Sequence, residues 1–279
     1  MAKRIGIIGT GRLGGMLIRG FINKKAVSPD SVYIFNRSAE KAQKFKTEFP
    51  GINLAKSSKE VAEQADWLFI CVKPLDLPAL LQEIGTKVPK GKLFISTLLS
   101  PPLKELDRLL EGGIVRIYPS VTQSTGHGVT LAAFGRQVAE EEKNELIALL
   151  DHIGKTFTVP EEHFRLCGDI TSCGPAFMAY MVGSLANEAM QHGIERELAV
   201  EMAKETMLGT ALLLKERNIT FDELVGEVAT PGGCTEEGIK VLKCILPETV
   251  EKVFQVTAAK ENAVTAKVME HFKPGKITV

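Results

Sequence analysis

An excess of charge of either sign is missing from this sequence: 34 Lys and Arg stand against 34 Asp and Glu among 279 residues. A nucleic-acid binder usually carries a strongly basic domain or stripe, so no nucleic-acid partner is expected. Long hydrophobic runs are missing too. A membrane span needs roughly 18 or more consecutive apolar residues, and stretches such as Leu68 to Val72 stop far short of that, so no membrane partner is expected either. Lys3 and Arg4 precede an apolar run, but Gly6, Gly9 and Gly11 interrupt it before a signal-peptide core can form. With no export signal, the expected location is the cytoplasm. Cysteine is sparse: Cys71, Cys167, Cys173, Cys234 and Cys244 make an odd count, with no C-x-x-C pair and no Cys/His spacing of the zinc type. Reduced thiols and no metal site are the expectation.

What is present is ordinary in bulk. The chain is 44% hydrophobic and 24% charged, near the average for soluble proteins, and its length suits one large domain or two of ordinary size. The one mild excess is glycine, with 25 residues, about 9% against a usual value of about 7%. Where these glycines stand is therefore the question.

The first half alternates. Short apolar runs at Arg4 to Ile8, Val32 to Phe35, Trp67 to Val72, Leu93 to Ser96 and Ile114 to Ile117 read as strands, separated by helical stretches such as Leu13 to Asn23, Ala39 to Glu48 and Asp76 to Ile84. Continuous apolar runs bounded by turns suit a parallel sheet covered on both faces. A strand at Val129 to Phe134, a helix from Ala139 to Ile153 and a last strand at Thr156 to Val159 complete this half. From Pro160 onward the pattern is helical. Thr171 or Ser172 is expected to cap a helix that opens at Pro175 and stops at Gly193. A second helix spans Glu195 to Arg217, and Thr220 with Glu223 signs a capping box for a third. Ala229 to Thr235 is read as a loop from which another helix opens at Thr235, with a last helix from Pro247 to His271. The fold class is thus α/β over residues 1–160, followed by an all-helical domain over 161–279.

The glycines are placed. Gly9-Thr10-Gly11-Arg12-Leu13-Gly14 spells G-x-G-x-x-G directly after a strand and at the opening of a helix. This is the fingerprint of a Rossmann dinucleotide-binding domain, with the pyrophosphate at the helix N-terminus. The second strand normally ends in an acidic residue for the adenosine ribose. Here it ends in Asn36-Arg37-Ser38, a cation with hydroxyl and amide donors suited to a ribose phosphate. NADP(H) is therefore the preferred cofactor, with NAD(H) as the other option, and a solvated surface charge is the other reading of Arg37. Val72-Lys73-Pro74 closes the fourth strand at the carboxyl edge, where Lys73 either lines the cofactor crevice or is an ordinary surface lysine.

Two further motifs, Ser172-Cys-Gly-Pro-Ala-Phe177 and Thr230-Pro-Gly-Gly-Cys-Thr235, stand in the helical half. Together with the N-terminal fingerprint they make the chain resemble the pyrroline-5-carboxylate reductases, across essentially its whole length. The resemblance implies NADPH-dependent reduction of 1-pyrroline-5-carboxylate to L-proline. It implies that Thr230, Gly232, Gly233, Cys234 and Thr235 hold the substrate carboxylate, and that Thr235 reaches the ring nitrogen as the catalytic hydroxyl. The residues themselves leave Thr235 a second role, as a helix cap. A homodimer or higher homo-oligomer is implied as well, and the wide apolar surface of the helix from Pro175 to Gln191 agrees with it, though a normal domain core would account for that surface too. The chain departs from the family where Arg116-Ile-Tyr-Pro-Ser120-Val-Thr122 replaces Met-Pro-Asn-Thr, and at Ser96-Thr-Leu-Leu-Ser100. These departures resemble a divergent Gram-positive branch of the family. They leave two alternatives: a reductase of a related small imine or oxo acid, or a regulatory paralogue that binds NADP without efficient turnover.

Overall fold

A computed structural model describes residues 3–272. Eight strands form one sheet: β1 (Ile5–Ile8), β2 (Val32–Phe35), β3 (Asn53–Leu54), β4 (Trp67–Ile70), β5 (Leu93–Ser96), β6 (Gly113–Pro119), β7 (Val129–Phe134) and β8 (Lys155–Thr158). Their order is β3-β2-β1-β4-β5-β6-β7-β8. Every neighbouring pair is parallel except β6 with β7. Every residue of β1, β4 and β5 is buried, as a doubly covered parallel sheet requires.

Alternation along each strand divides the core in two. Ile5 and Ile7 of β1, with Trp67 and Phe69 of β4, face a cluster supplied by α1 (Arg12–Asn23), α2 (Ala39–Glu48) and α6 (Glu140–Asp151), where Leu17, Phe21, Phe45 and Leu146 are buried. Ile8, Leu68 and Ile70 face the opposite cluster, supplied by α3 (Ser58–Gln64), α4 (Leu77–Ile84) and α5 (Leu103–Leu109). Arg116 of β6 takes the same strand parity as Ile114, on this second face, and its side chain is among the largest fully buried ones in the molecule.

The helical half comprises α7 (Phe164–Gly168), a π turn at Asp169–Cys173, then α8 (Gly174–Gln191), α9 (Arg196–Arg217), α10 (Phe221–Val228) and α11 (Cys234–Met269). Several expectations hold here: Gly193 ends α8 with a φ of +91°, and Thr220 and Glu223 form the reciprocal capping box of α10. Two do not. Thr171 and Ser172 cap nothing, because the π turn runs α7 straight into α8: the Thr171 hydroxyl donates to the Cys167 carbonyl oxygen 2.9 Å away, and the buried Ser172 Oγ has no partner among the described residues. The separate helices expected around Pro247 are one 36-residue helix with Pro247 inside it. The loop before it closes at Gly233, so α11 begins at Cys234 and not at Thr235.

The described residues up to Ser172, together with those from Ala258 onward, form one compact unit, and Cys173–Thr257 form another. Across the second unit only Gly174, Ala186 and Ala199 are buried. Apolar residues of α8 and α9 such as Leu185, Leu198 and Leu208 are more than half exposed. Among the described residues no helix is long and apolar enough to cross a membrane.

Pro247 removes one main-chain hydrogen bond to Lys243 and lies on an exposed part of α11. Pro247→Ala is expected to stabilise the protein, by up to about 3 kcal/mol, read as a raised midpoint in urea.

Candidate functional site

The strand order reverses between β1 and β4, because β2 continues the sheet to one side of β1 and β4 to the other. In open α/β sheets the crevice beyond the carboxyl ends of such strands is where ligands bind. Each glycine of the first turn has a distinct reason for being there. Gly9 has a φ of +97°, and a Cβ on it would stand 2.5 Å from the Cys71 carbonyl oxygen. A Cβ on Gly14 would stand 2.0 Å from the Gly9 carbonyl oxygen, so only glycine lets α1 begin this close to the strand. Gly11 is different: nothing lies within 4 Å of where its Cβ would be. That open space is at the N-cap of α1, which has no side-chain cap, so the first N–H groups of the helix, those of Arg12, Leu13 and Gly14, lack intrahelical partners. A fixed, positively polarised, uncapped helix start beside an open approach fits a pyrophosphate.

Around this turn the predicted residues are brought together. Asn36 acts as a brace: its Oδ1 accepts from the Thr10 N–H at 3.0 Å and its Nδ2 donates to the Ser38 carbonyl oxygen at 3.0 Å. Gly9 N–H donates to the Phe35 carbonyl oxygen, so the turns after β1 and β2 are held as one piece. Arg37 is 88% exposed and lies 3.4 Å from Asp76, across from it on the segment after β4. Ser38 is exposed at the start of α2, and its hydroxyl makes no cap there. Val72 and Pro74 are half-buried beside the crevice, whereas Lys73 is exposed. Burial pushes the neighbouring Cys71 thiol up to about 12, against a smaller opposing effect of the Thr97 hydroxyl. His127 lies on an exposed turn, and Ser120 spends its hydroxyl within that turn, 2.9 Å from the Thr122 hydroxyl.

The loop before α11, in the second unit, has its own logic. Thr230-Pro231-Gly232-Gly233 closes a tight turn in which the Gly233 N–H donates to the Thr230 carbonyl oxygen at 2.9 Å, with Gly232 at φ +77°. Proline followed by a glycine with positive φ is the signature of a type II turn. The Gly232 N–H is taken as well, by Glu236 Oε2 at 2.9 Å. The two glycines therefore shape the turn and do not offer N–H groups to a ligand. The groups left are the N–H groups of Cys234 and Thr235 in the first turn of α11, and the exposed Thr235 hydroxyl, which makes no hydrogen bond among the described residues. Lys240 lies 3.8 Å from Glu236 and 2.7 Å from Glu237, offsetting the acidic charge at this helix start.

One polar centre was not anticipated as more than a strand residue. Arg116 Nη1 donates to the Leu99 carbonyl oxygen at 2.7 Å, Nη2 donates to that of Pro101, and Nη1 lies 2.5 Å from Glu161 Oε1. Burial pushes this guanidinium down to about 10, against the favourable fields of Glu161 and Glu261, so it remains charged at neutral pH. Its sequence signals are an arginine inside an otherwise apolar strand and its place in the segment Arg116 to Thr122 singled out above.

Residues 161–264 match the family described as pyrroline-5-carboxylate reductase dimerisation, and residues 4–100 match NADP oxidoreductase coenzyme F420-dependent. ComE operon protein 4 of Bacillus subtilis is 33% identical over 96% of this chain and 99% of its own length. Pyrroline-5-carboxylate reductase 3 of the same organism is 26% identical over 95% and 98%. Among solved structures, the pyrroline carboxylate reductase of Plasmodium falciparum with NADP bound superposes with a TM-score of 0.81 at 22% identity, over 94% of this chain and 97% of that one. The 1-pyrroline-5-carboxylate reductase of Streptococcus pyogenes gives the same TM-score at 23% identity, over 92% and 97%.

The two glycines separate folding from binding. Gly14→Ala is expected to lose roughly 1–3 kcal/mol of stability through the forced backbone clash. Gly11→Ala is expected to unfold within about 0.5 kcal/mol of wild type while losing dinucleotide affinity, measured by calorimetric titration.

Proposed function

Because the chain belongs to the pyrroline-5-carboxylate reductase family, we propose that it reduces 1-pyrroline-5-carboxylate to L-proline with NADPH. Dinucleotide binding is assigned to residues 1–160, and substrate binding and dimerisation to residues 161–279. The observation that carries the reading is the start of α11: a rigid type II turn leads into a helix whose first N–H groups and Thr235 hydroxyl are uncommitted.

The uncapped start of α1 and the open space at Gly11 suit the pyrophosphate, and Arg37 with Ser38 suits a ribose phosphate. Asn36 serves by bracing the two turns. When bound, the reduced nicotinamide supplies the hydride. The chain's residues have to place the acceptor: the helix start at Cys234 and Thr235 attracts a carboxylate, and the Thr235 hydroxyl can meet the ring nitrogen as donor or acceptor. A cyclic iminium arrives with its proton already on nitrogen, so holding it in place is the main demand on the protein. The exposed apolar faces of α8 and α9, in a unit with three buried residues, support a homodimer or higher homo-oligomer. A monomeric mass by light scattering at micromolar concentration would contradict that assembly.

A second reading, a reductase-like paralogue that keeps the dinucleotide site without efficient turnover, is favoured by one observation. Ser120, where the family has an amide, turns its hydroxyl inward to Thr122. Absorbance of NADPH in the presence of 1-pyrroline-5-carboxylate decides between them: oxidation supports the enzyme, and NADPH binding without oxidation supports the paralogue.

Arg37→Asp is expected to weaken NADPH roughly tenfold while NADH binding changes little; equal loss for both would remove the phosphate role. Thr235→Ala is expected to depress turnover at saturating NADPH roughly a hundredfold through lost positioning with an unchanged melting temperature, since the hydroxyl is exposed and makes no hydrogen bond among the described residues.

A further inference from the structure

Arg116 is a charged residue 2% exposed in the sheet core, a placement that is often no more stabilising than a well-packed apolar side chain. Its contacts show what it does instead. The guanidinium draws in the carbonyl oxygens of Leu99 and Pro101, two positions of the segment between β5 and α5. Its ion-pair partner Glu161 accepts the Leu103 N–H at 2.6 Å with the same oxygen that faces the guanidinium, so the segment is held at 99, 101 and 103 from one centre. At its near end the segment is tied to the cofactor crevice: Thr97 donates both its N–H and its hydroxyl to the Ile70 carbonyl oxygen at the end of β4. Arg165, paired with Asp169 at 3.0 Å, and Glu261 of α11 complete the charges that face this cluster.

A dinucleotide straddling the β1–β4 switch point would have its adenosine half over the turns after β1 and β2, where Asn36, Arg37 and Ser38 lie. Its nicotinamide half would then point toward the ends of β4 and β5, the next strands in the sheet. The segment from Thr97 to Pro102 rises from the end of β5, on the nicotinamide side. Only a guanidinium can serve all its acceptors at once: a lysine ammonium is a point charge and cannot reproduce the planar fork.

We propose that Arg116 is a positioning residue for hydride transfer, holding the Thr97–Pro102 segment in the shape that supports the nicotinamide end of the cofactor. This rests on the dinucleotide reading above and is independent of which imine or oxo acid is reduced. Arg116 does not touch the cofactor; it acts through two backbone carbonyls and Glu161.

The test uses two ligands that share the adenosine half. Full-length wild type, Arg116→Lys and Glu161→Gln are titrated with NADPH, following nicotinamide fluorescence, and with 2′,5′-ADP, which lacks the nicotinamide end. In Arg116→Lys, 2′,5′-ADP affinity should stay within about twofold of wild type, as expected for a distant site. NADPH should bind roughly tenfold more weakly, with bound emission moved toward that of free NADPH. Wild-type NADPH affinity and emission in the variant would overturn the proposal. So would an equal loss for both ligands, which marks general damage. Should Arg116→Lys fail to fold, Glu161→Gln keeps the side-chain size and an acceptor for Leu103, and the same two readouts apply to it. Failure of wild type to bind either ligand would instead overturn the dinucleotide reading and the proposal with it.

Discussion

Between the turn after β1 and the turn after β4 there is no room for a Cβ: one on Gly9 would meet the Cys71 carbonyl oxygen at 2.5 Å, and one on Gly14 would meet Gly9 itself at 2.0 Å. This closeness of backbone to backbone organises the whole carboxyl edge of the sheet. It brings the start of α1 over the strand ends, lets Asn36 reach across to Thr10, and leaves Gly11 facing open space. The helix start has no side-chain cap among the described residues. An uncapped helix start of this kind favours a negatively charged group.

The second helix start reaches a similar end by different means. At α11 the turn glycines give their own N–H groups to Thr230 and Glu236, and what remains available is the first helical turn with a threonine hydroxyl. On the proposed function, both sites would place an anion on a helix dipole. The first builds a cradle from close packing, the second from a hydrogen-bonded turn.

Much of this was legible. The five parallel strands of the first half stand out because their apolar runs are continuous, and the three glycines because each obeys a separate steric rule. The Thr220–Glu223 box is legible because its spacing fixes its geometry. The misses have physical causes. Pro247 reads as a break by local propensity, yet an exposed helix that is long on both sides absorbs one missing bond. Thr171 and Ser172 look like caps only if a helix begins after them, and the π turn shows that one was already under way. The β3 strand has two residues, and α3 and α5 have seven each, too few for a periodicity to register. The role of Arg116 was invisible because two of its three partners are backbone carbonyls and the third, Glu161, lies far along the chain. The bond by which Glu236 closes on Gly232 depends on the shape of the turn and shows only in the coordinates.

In the unit from Cys173 to Thr257, three small residues are buried while leucines, methionines and a tyrosine of α8 and α9 face outward. Such a unit draws little cohesion from within itself, since burial of apolar area is the main source of stability. Where a second copy covers that surface, as proposed above, its stability gains a term in the logarithm of the protein concentration. On that proposal dilution would loosen this unit, while the sheet-bearing unit holds two buried apolar clusters of its own.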